Sequence, residues 1–251
     1  MVRALIFFIG LTAGAFGALV GLGGGVLMIP LMVGILRMSQ HKAHGTSLAT
    51  LVFTGIAGMV IYQSFGTVDH IAALALAASA IIMTHIGAKY ALAMPEWQLK
   101  RAFGGLLCFV SVVLLLKAFY LPVLFAPEVL AKILILLVVG AVTGFLSGMM
   151  GVGGGSIMVP AMVILTGADQ VTAQGTSLLA MIPIGIAGAY SHWNLGTVNK
   201  EMLPLLIPGI IIGALAGSYM AHILPELTLR LLFAAILLWT GVKYLNTAKP
   251  H

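Results

Sequence analysis

Two glycine clusters are the residues of this sequence best suited to bind a ligand. Residues 21–25 read Gly-Leu-Gly-Gly-Gly and residues 151–155 read Gly-Val-Gly-Gly-Gly, each between two apolar stretches. Because glycine costs about 1 kcal/mol relative to alanine inside a helix, each run predicts an unwound stretch of backbone. A helix beginning after each cluster would direct free N–H groups and a positive dipole end toward a cavity. That geometry binds anions without a charged side chain.

The glycine site is therefore predicted from both clusters and the residue that follows the second. Ser156 adds a hydroxyl donor there, whereas its counterpart Val26 has none. The alternative role for such glycines is close helix packing through small residues. The backbone expected to face the anion belongs to Gly23, Gly24, Gly25, Gly153, Gly154 and Gly155.

A Gly-Thr-Ser motif begins a later apolar stretch in each half, preceded by His44 in one and Gln174 in the other. Here Thr or Ser can cap a helix and leave amide donors free. We expect these hydroxyls to bind oxyanion oxygens, with plain capping or bonding back to the helix carbonyls as the alternative. His44 and Gln174 are included in the expected binding site, because an asymmetric substrate can use the difference between them. The alternative for His44 is a position at the cytoplasmic interface near His41 and Lys42. The hydroxyls concerned belong to Thr46, Ser47, Thr176 and Ser177.

Three further polar residues are weaker candidates for a functional role. His85 lies inside an apolar segment, where an ionisable group is a candidate for a proton relay. Tyr62 and His192 stand at the ends of equivalent apolar segments, with Trp193 next to His192, and the aromatic side chains there are expected to form an interfacial belt.

The amino-acid composition indicates the class of protein whose fold must position these groups. Of 251 residues, 61% are hydrophobic and only 7% are charged, against about 25% charged in soluble domains. The chain is therefore an integral membrane protein, and disordered, nucleic-acid-binding and disulfide-stabilised classes are excluded. Cys108 is the single cysteine, so no disulfide within the chain and no cysteine metal site is expected.

Ten apolar segments follow one another along the chain, five in each half, and the second of each five is short. They cover roughly residues 4–20, 24–36, 45–63, 71–93 and 102–120, then 133–150, 153–166, 175–193, 202–222 and 229–246.

The two halves are an internal repeat. A shift of about 130 positions aligns them without a gap, and both the glycine clusters and the Gly-Thr-Ser motifs coincide. Because Gly10 and Gly14 match Gly140 and Gly144, the first segment is expected to belong to the folded unit rather than to a cleaved signal peptide.

Basic residues indicate that the repeats are inverted. Five crossings per half put all but three of the 12 Lys and Arg residues on one side, the exceptions being Lys117, Lys132 and Arg230. This positive-inside bias predicts cytoplasmic termini. Four crossings per half would divide the basic residues evenly between the two sides. If the two short segments formed a hairpin that enters and leaves the membrane on one side, the basic residues would lie on the same sides as with five crossings.

The predicted fold is thus an all-α polytopic membrane protein with two inverted-topology repeats of five helical segments each. The first two segments of each repeat are expected to be short and glycine-broken, and both termini cytoplasmic. One transmembrane transporter domain is expected over residues 1–251, with repeats at about 1–120 and about 131–250. Gly213 and Gly217 suit a homodimer contact or internal packing equally well.

The glycine clusters, the apolar segment with Pro30 or Pro160 and the Gly-Thr-Ser motifs resemble the TauE/SafE sulfite exporter family of 4-toluene sulfonate uptake permease-like membrane transporters. The resemblance extends from about Ala4 to about Leu245. It implies a multi-pass permease of the cytoplasmic membrane for sulfite, sulfonates or related organic anions, in contact with the lipid bilayer.

The predicted function is export of a small sulfur-containing oxyanion by alternating access, with an anion channel lined by glycine as the alternative. No carboxylate lies within an apolar segment, and no paired carboxylate, HExxH or nucleophile with an evident base is visible. We therefore expect no enzyme activity, no cofactor, no metal site and no nucleic-acid partner.

Overall fold

The computed structural model describes residues 2–119 and 128–246, and within these ranges the chain is helical without any strand. The helices are α1 (Val2–Leu19), α2 (Gly25–Gly34), α3 (Gln40–Ser64), α4 (His70–Ala93), α5 (Glu96–Phe119), α6 (Val129–Met150), α7 (Gly155–Ala161), α8 (Gln170–Asn194), α9 (Leu203–Ile223) and α10 (Glu226–Leu245). A π-helical turn, Met162–Thr166, extends α7.

Each predicted apolar segment corresponds to one helix. The main differences are at the beginnings of α3, α5 and α8, which start about five residues before the apolar stretch does. Their polar first turns are helical although they are not apolar, because backbone hydrogen bonding does not require an apolar side chain. The expectation that the first segment of each half is short is wrong, since α1 has 18 residues and α6 has 22.

Within residues 2–119 and 128–246, six helices are long and apolar enough to cross a membrane: α1, α3, α4, α6, α8 and α9. By contrast, α2 and the combined α7 and π-helical turn are shorter apolar helices. Each of these short helices follows a glycine turn and contains a proline, Pro30 in α2 and Pro160 in α7. They are buried between the longer helices, which supply the surroundings that irregular backbone needs inside a membrane.

Glycines bring two pairs of helices into backbone contact. Gly213 and Gly217 of α9 face Leu11 and Ala15 of α1, where an added Cβ would collide with main-chain atoms. At the equivalent contact between the two halves, Gly140, Gly144 and Gly148 of α6 face the backbone of α4 in the same way. Gly213 and Gly217 therefore serve internal packing, and a homodimer would need another surface.

Helices at equivalent positions of the two halves pack antiparallel to each other. On α3 and α8, Gly55 lies against Leu178 and Ile182, while Gly185 lies against Val52 and Leu48. Residue numbers thus rise in opposite directions along the contact. α5 and α10 are arranged in the same way, since Gly104 lies against Leu245 and the Ser111 hydroxyl donates to Ala234 O at 2.8 Å.

One ion pair connects the starts of two helices. Lys132 Nζ of α6 lies 2.7 Å from Asp69 Oδ2, and Asp69 Oδ1 accepts from the Ala72 N–H to cap α4. Partial burial acts to raise the pKa of the Asp69 carboxyl. The hydrogen bonds from Lys132 and Ala72, with the charge of Lys132, outweigh burial and lower the pKa below its usual value.

Asp69→Asn should therefore destabilise the protein by about 0.5–1 kcal/mol at neutral pH, since both side chains are partly exposed. A lowered carboxyl pKa contributes stability above the unfolded-state value, and this is lost as the pH falls through the folded-state value. Melting curves in detergent should show the difference above about pH 5 and lose it well below about pH 4. Asp169→Asn is the control, because Asp169 caps α8 through the Thr172 N–H without a described ion pair. An equal loss in both variants would contradict the ion-pair explanation.

Candidate anion site at the paired glycine turns

The predicted unwinding at both glycine clusters is confirmed. Between α1 and α2, Gly23 and Gly24 have φ angles of 74° and 88°; between α6 and α7, Gly153 and Gly154 have 83° and 85°. These left-handed values are open to glycine and rarely to other residues. We call residues 20–24 and 151–154 the glycine turns.

The two glycine turns meet at the centre of the bundle. A Cβ on Gly25, the first residue of α2, would lie 2.8 Å from Gly151 O. Gly155, the first residue of α7, approaches Gly21 O in the reciprocal way. Since helices leave their first amides without internal partners, α2 and α7 present free N–H groups where the turns cross. Val26 and Ser156 follow in the same first turns, and both are buried.

Two apolar side chains from equivalent positions close the crossing. Leu51 of α3 and Met181 of α8 are both fully buried. A Cβ on Gly153 would lie 2.7 Å from Leu51 Cδ1 and 3.2 Å from Met181 Sδ, and Gly23 faces the same two side chains. The absence of a side chain at these glycines therefore makes room for Leu51 and Met181, which exclude solvent from the crossing.

The Thr46 and Thr176 hydroxyls, which were predicted to bind the anion, form hydrogen bonds with backbone groups of the protein instead. Thr46 Oγ1 donates to Lys42 O at 2.7 Å and accepts from the Asn199 N–H at 2.9 Å. Thr176 Oγ1 accepts from the Asp69 N–H at 2.9 Å. The motif begins neither helix, because α3 and α8 start at Gln40 and Gln170. The capping alternative is therefore wrong, whereas Thr46 does bond back to a carbonyl of its own helix. Both threonine hydroxyls also connect their helices to the loops before α9 and α4.

The two serines of the Gly-Thr-Ser motifs differ. Ser177 Oγ lies 2.7 Å from Gly21 O and 2.8 Å from Gln174 O, so its hydrogen has acceptors within the protein. Ser47 Oγ is buried without a hydrogen-bond partner, and a Cβ on Gly25 would lie 2.9 Å from it. The same absence of a partner holds for Gln174 Nε2 and Ser147 Oγ. Three buried donors thus lie around the turns without an acceptor in the described part of the chain.

His44 is buried rather than interfacial. Only 4% of its surface is exposed, its Nε2 lies 2.9 Å from Gln40 Nε2, and its Nδ1 lies 3.2 Å from Met149 O. Its counterpart Gln174 is also buried, and its Oε1 accepts from the Tyr62 hydroxyl at 3.2 Å. Both residues therefore belong to the interior beside the glycine turns.

The prediction of an interfacial aromatic belt is wrong for Tyr62, which lies in the interior together with His192 of the equivalent segment. Both are buried, and both bind the last turn of the helix before a glycine turn. The Tyr62 hydroxyl donates to Ala18 O at 3.0 Å, and His192 Nε2 lies 3.0 Å from Gly148 O. The repeat alignment pairs Tyr62 with His192 and was the signal that could have found them.

Two other side chains lie away from the crossing. His85 is exposed on the outer surface of α4 and its Nδ1 lies 2.8 Å from Ser191 Oγ. Trp193 is exposed with Lys200 Nζ 3.9 Å from its ring centre, as expected of an interfacial aromatic residue.

Comparisons with known proteins identify the family. A family model described as "Sulfite exporter TauE/SafE" matches residues 3–244. The chain belongs to the TauE/SafE sulfite exporter family. It is accordingly a multi-pass membrane transporter, as the resemblance of its motifs implies.

Its relatives cover nearly its whole length. The "Probable membrane transporter protein YunE" of Bacillus subtilis is 27% identical over 94% of this chain and 95% of its own. A probable membrane transporter protein of Methanocaldococcus jannaschii is 21% identical over 93% and 91%. The "Sulfite exporter TauE/SafE family protein 5" of Arabidopsis thaliana is 32% identical over 37% of this chain and 21% of its own. No solved structure shows significant similarity.

Gly23→Ala tests the close packing of the turn against Leu51 and Met181. The left-handed conformation should cost about 1–2 kcal/mol and the collision a further 1–3 kcal/mol or so. Gly66→Ala is the matched control, because Gly66 also has a positive φ of 70° but nothing within 4 Å of an added Cβ. Melting in detergent should therefore show a larger loss for Gly23→Ala. Equal losses would mean that the crossing is not tightly packed.

Proposed function

We propose that this protein exports small sulfur-containing oxyanions, such as sulfite or sulfonates, across the cytoplasmic membrane by alternating access. The observation that carries the proposal is the group of buried donors without acceptors where the glycine turns meet. Among the described residues, Ser47 Oγ, Ser147 Oγ and Gln174 Nε2 have no hydrogen-bond partner. The helices α2 and α7 begin where the two glycine turns cross. An oxyanion supplies the acceptors that these donors lack.

The chemistry favours an anion over a cation. A buried donor without an acceptor costs about 1–3 kcal/mol, and an oxyanion offers several lone pairs at once. Helix N-termini contribute partial positive charge. The predicted site residues divide accordingly: the glycine turns, Ser47, Ser156 and Gln174 bind, whereas Thr46, Thr176 and Ser177 hold loops and turns in place, and His44 lies beside the site.

Inverted repeats support alternating access. The antiparallel packing of α3 with α8 and of α5 with α10 is what a two-fold axis in the membrane plane produces. The positive-inside bias puts both termini in the cytoplasm. In that orientation Asp69 and Lys132 share the outer side and Thr46 and Asn199 share the inner side, in agreement with their contacts.

Leu51 and Met181 act as the central barrier in this mechanism. They separate the two ends of the fold while the turns are closed around them. Movement of one half against the other opens the site to each side in turn. With the cell interior negative, each negative charge that leaves gains about 2.3 kcal/mol per 100 mV, which favours export.

An anion panel tests the site. Sulfite, thiosulfate or a short sulfonate at 100 times its Kd should stabilise the purified protein by about 2.7 kcal/mol, seen as a higher melting temperature. Sulfate, nitrate and acetate complete the panel. Ser47→Ala should weaken anion binding about tenfold to hundredfold without lowering unliganded stability, because its hydroxyl has no partner to lose.

Ser177→Ala is the matched control. It should lower unliganded stability by about 1 kcal/mol, because it loses hydrogen bonds within the protein. Its anion affinity should fall less than that of Ser47→Ala. Stabilisation by a cation or a neutral solute, with none by any anion, would overturn the anion site.

Flux measurements distinguish a transporter from a channel. Uptake of a labelled sulfonate into proteoliposomes should saturate with concentration for the wild type. Replacing both Leu51 and Met181 with alanine should open the central barrier and add a leak that does not saturate. Leu48→Ala is the control, since Leu48 is equally buried but faces Gly185 and Gly188 rather than the glycine turns. Non-saturating wild-type flux would favour the channel.

A further inference from the structure

Equivalent positions at the two ends of the fold have different chemistry. Where α3 begins and α8 ends, His44 and His192 are buried beside the last turn of α6. At the equivalent place in the other half, Gln174 and Tyr62 lie beside the last turn of α1. The backbone is repeated, whereas a pair of imidazoles replaces an amide and a phenol.

Both imidazoles hold the backbone that leads into a glycine turn. His44 Nδ1 lies 3.2 Å from Met149 O and His192 Nε2 lies 3.0 Å from Gly148 O. Because a carbonyl only accepts hydrogen bonds, each of these ring nitrogens carries a hydrogen. The glycine turn begins two residues after Met149, at Gly151, where an added Cβ would collide with the backbone of His44. The two rings therefore hold the backbone directly before this glycine turn.

The second nitrogen of each ring can bind a proton without displacing its partner. His44 Nε2 lies 2.9 Å from Gln40 Nε2, so a neutral ring accepts from the amide, and a flipped amide accepts from a protonated ring. His192 Nδ1 lies 2.8 Å from Thr197 Oγ1, which is 3.0 Å from His192 O. Rotation of the Thr197 hydroxyl toward that carbonyl lets it accept from a protonated ring.

No described negative charge lies close enough to the two histidines to stabilise a proton bound to them. The charged and titratable groups around the pair are His41 on α3, Lys100 on α5, His85 on α4 and, beyond Gln40, Lys243 and Tyr244 on α10. All are cationic or neutral, and no described carboxylate is among them. A proton on the pair therefore needs an anion nearby for compensation.

A cavity of about 140 Å³ lies beside Gln40, whose side chain is the hydrogen-bond partner of His44. Gln40, Lys100, Lys243 and Tyr244 line its polar part. Since a water molecule occupies about 30 Å³ of liquid, the cavity accommodates several waters or one small oxyanion. Gln40 connects this cavity to His44.

We propose that His44 and His192 bind a proton that is carried together with the anion. This inference rests on the proposed function and adds its coupling ion. Because the proton and the anion compensate each other's charge, each strengthens the binding of the other, as linkage requires. One proton with one monovalent anion moves no net charge, so the membrane potential no longer favours export. Net export of the coupled pair then follows the outward concentration gradient of the anion and is opposed by a cytoplasm more alkaline than the outside.

The other end of the fold is the internal comparison. Tyr62 and Gln174 do not titrate near neutral pH. His222 lies close by, with its ring centre 4.7 Å from that of Tyr62, but it binds Thr67 and Ser218 O rather than a carbonyl next to a glycine turn. Coupling should therefore depend on His44 and His192 and not on His222.

The test uses proteoliposomes and radiolabelled methanesulfonate, with the membrane potential held at zero by potassium and valinomycin. A sulfonate stays ionised throughout the range in which histidine titrates, about pH 5 to 8, so any pH effect belongs to the protein. A gradient of one pH unit should drive up to about tenfold accumulation on the alkaline side in the wild type.

The substitutions exchange residues between the two halves. H44Q and H192Y install the side chains that the other half already has at these positions. Together they should abolish accumulation driven by the pH gradient, while exchange of labelled for unlabelled sulfonate continues. His222→Leu, which installs the residue of the equivalent position Leu92, should retain the accumulation. Anion addition to weakly buffered wild-type protein should also remove protons from solution, read with a pH indicator, whether or not the variants fold.

The outcomes separate this proposal from the function on which it rests. Saturable wild-type uptake that does not depend on the pH gradient would overturn the coupling and leave the proposed transport function standing. The same conclusion would follow if gradient-driven uptake persisted in the double variant, or if it disappeared only in His222→Leu. Absence of wild-type uptake for every anion of the panel overturns the proposed function and the coupling together.

Discussion

The contact between the two glycine turns is the constraint on which the rest of the structure depends. Gly25 and Gly155 each approach a carbonyl of the opposite turn so closely that a Cβ would collide or nearly do so. The turns can meet only if both helices end, reverse through left-handed residues and restart. The long helices around them are held together by small residues as well, because a bulkier contact would separate α1 from α9 and α4 from α6.

This symmetric backbone positions side chains that are not symmetric. Ser177 bonds to Gly21 O, whereas Ser47 at the equivalent position has no partner. His192 takes the place of Tyr62 at the carbonyl before a glycine turn. A transporter with two similar ends needs such differences if a ligand or a proton is to be treated differently at each end.

Sequence patterns predicted the ten helices and the break at each glycine turn, because apolar length and glycine content are local properties. They did not predict the partners of polar side chains. Thr46 and Thr176 bind loops that are more than a hundred residues away, and His44 and Tyr62 reach carbonyls of other helices. A polar residue near the end of an apolar segment looks interfacial in the sequence, whether it faces lipid headgroups or the interior.

The sequence by itself determined the membrane class, the repeat, the helical segments and the family, because these follow from composition, periodicity and motifs. Only the tertiary structure decided which donors lack acceptors, that Leu51 and Met181 close the crossing, and that His44 and His192 share the last turn of α6. These properties depend on distances between helices that are remote in the chain. Such distances arise from packing, which no local pattern specifies.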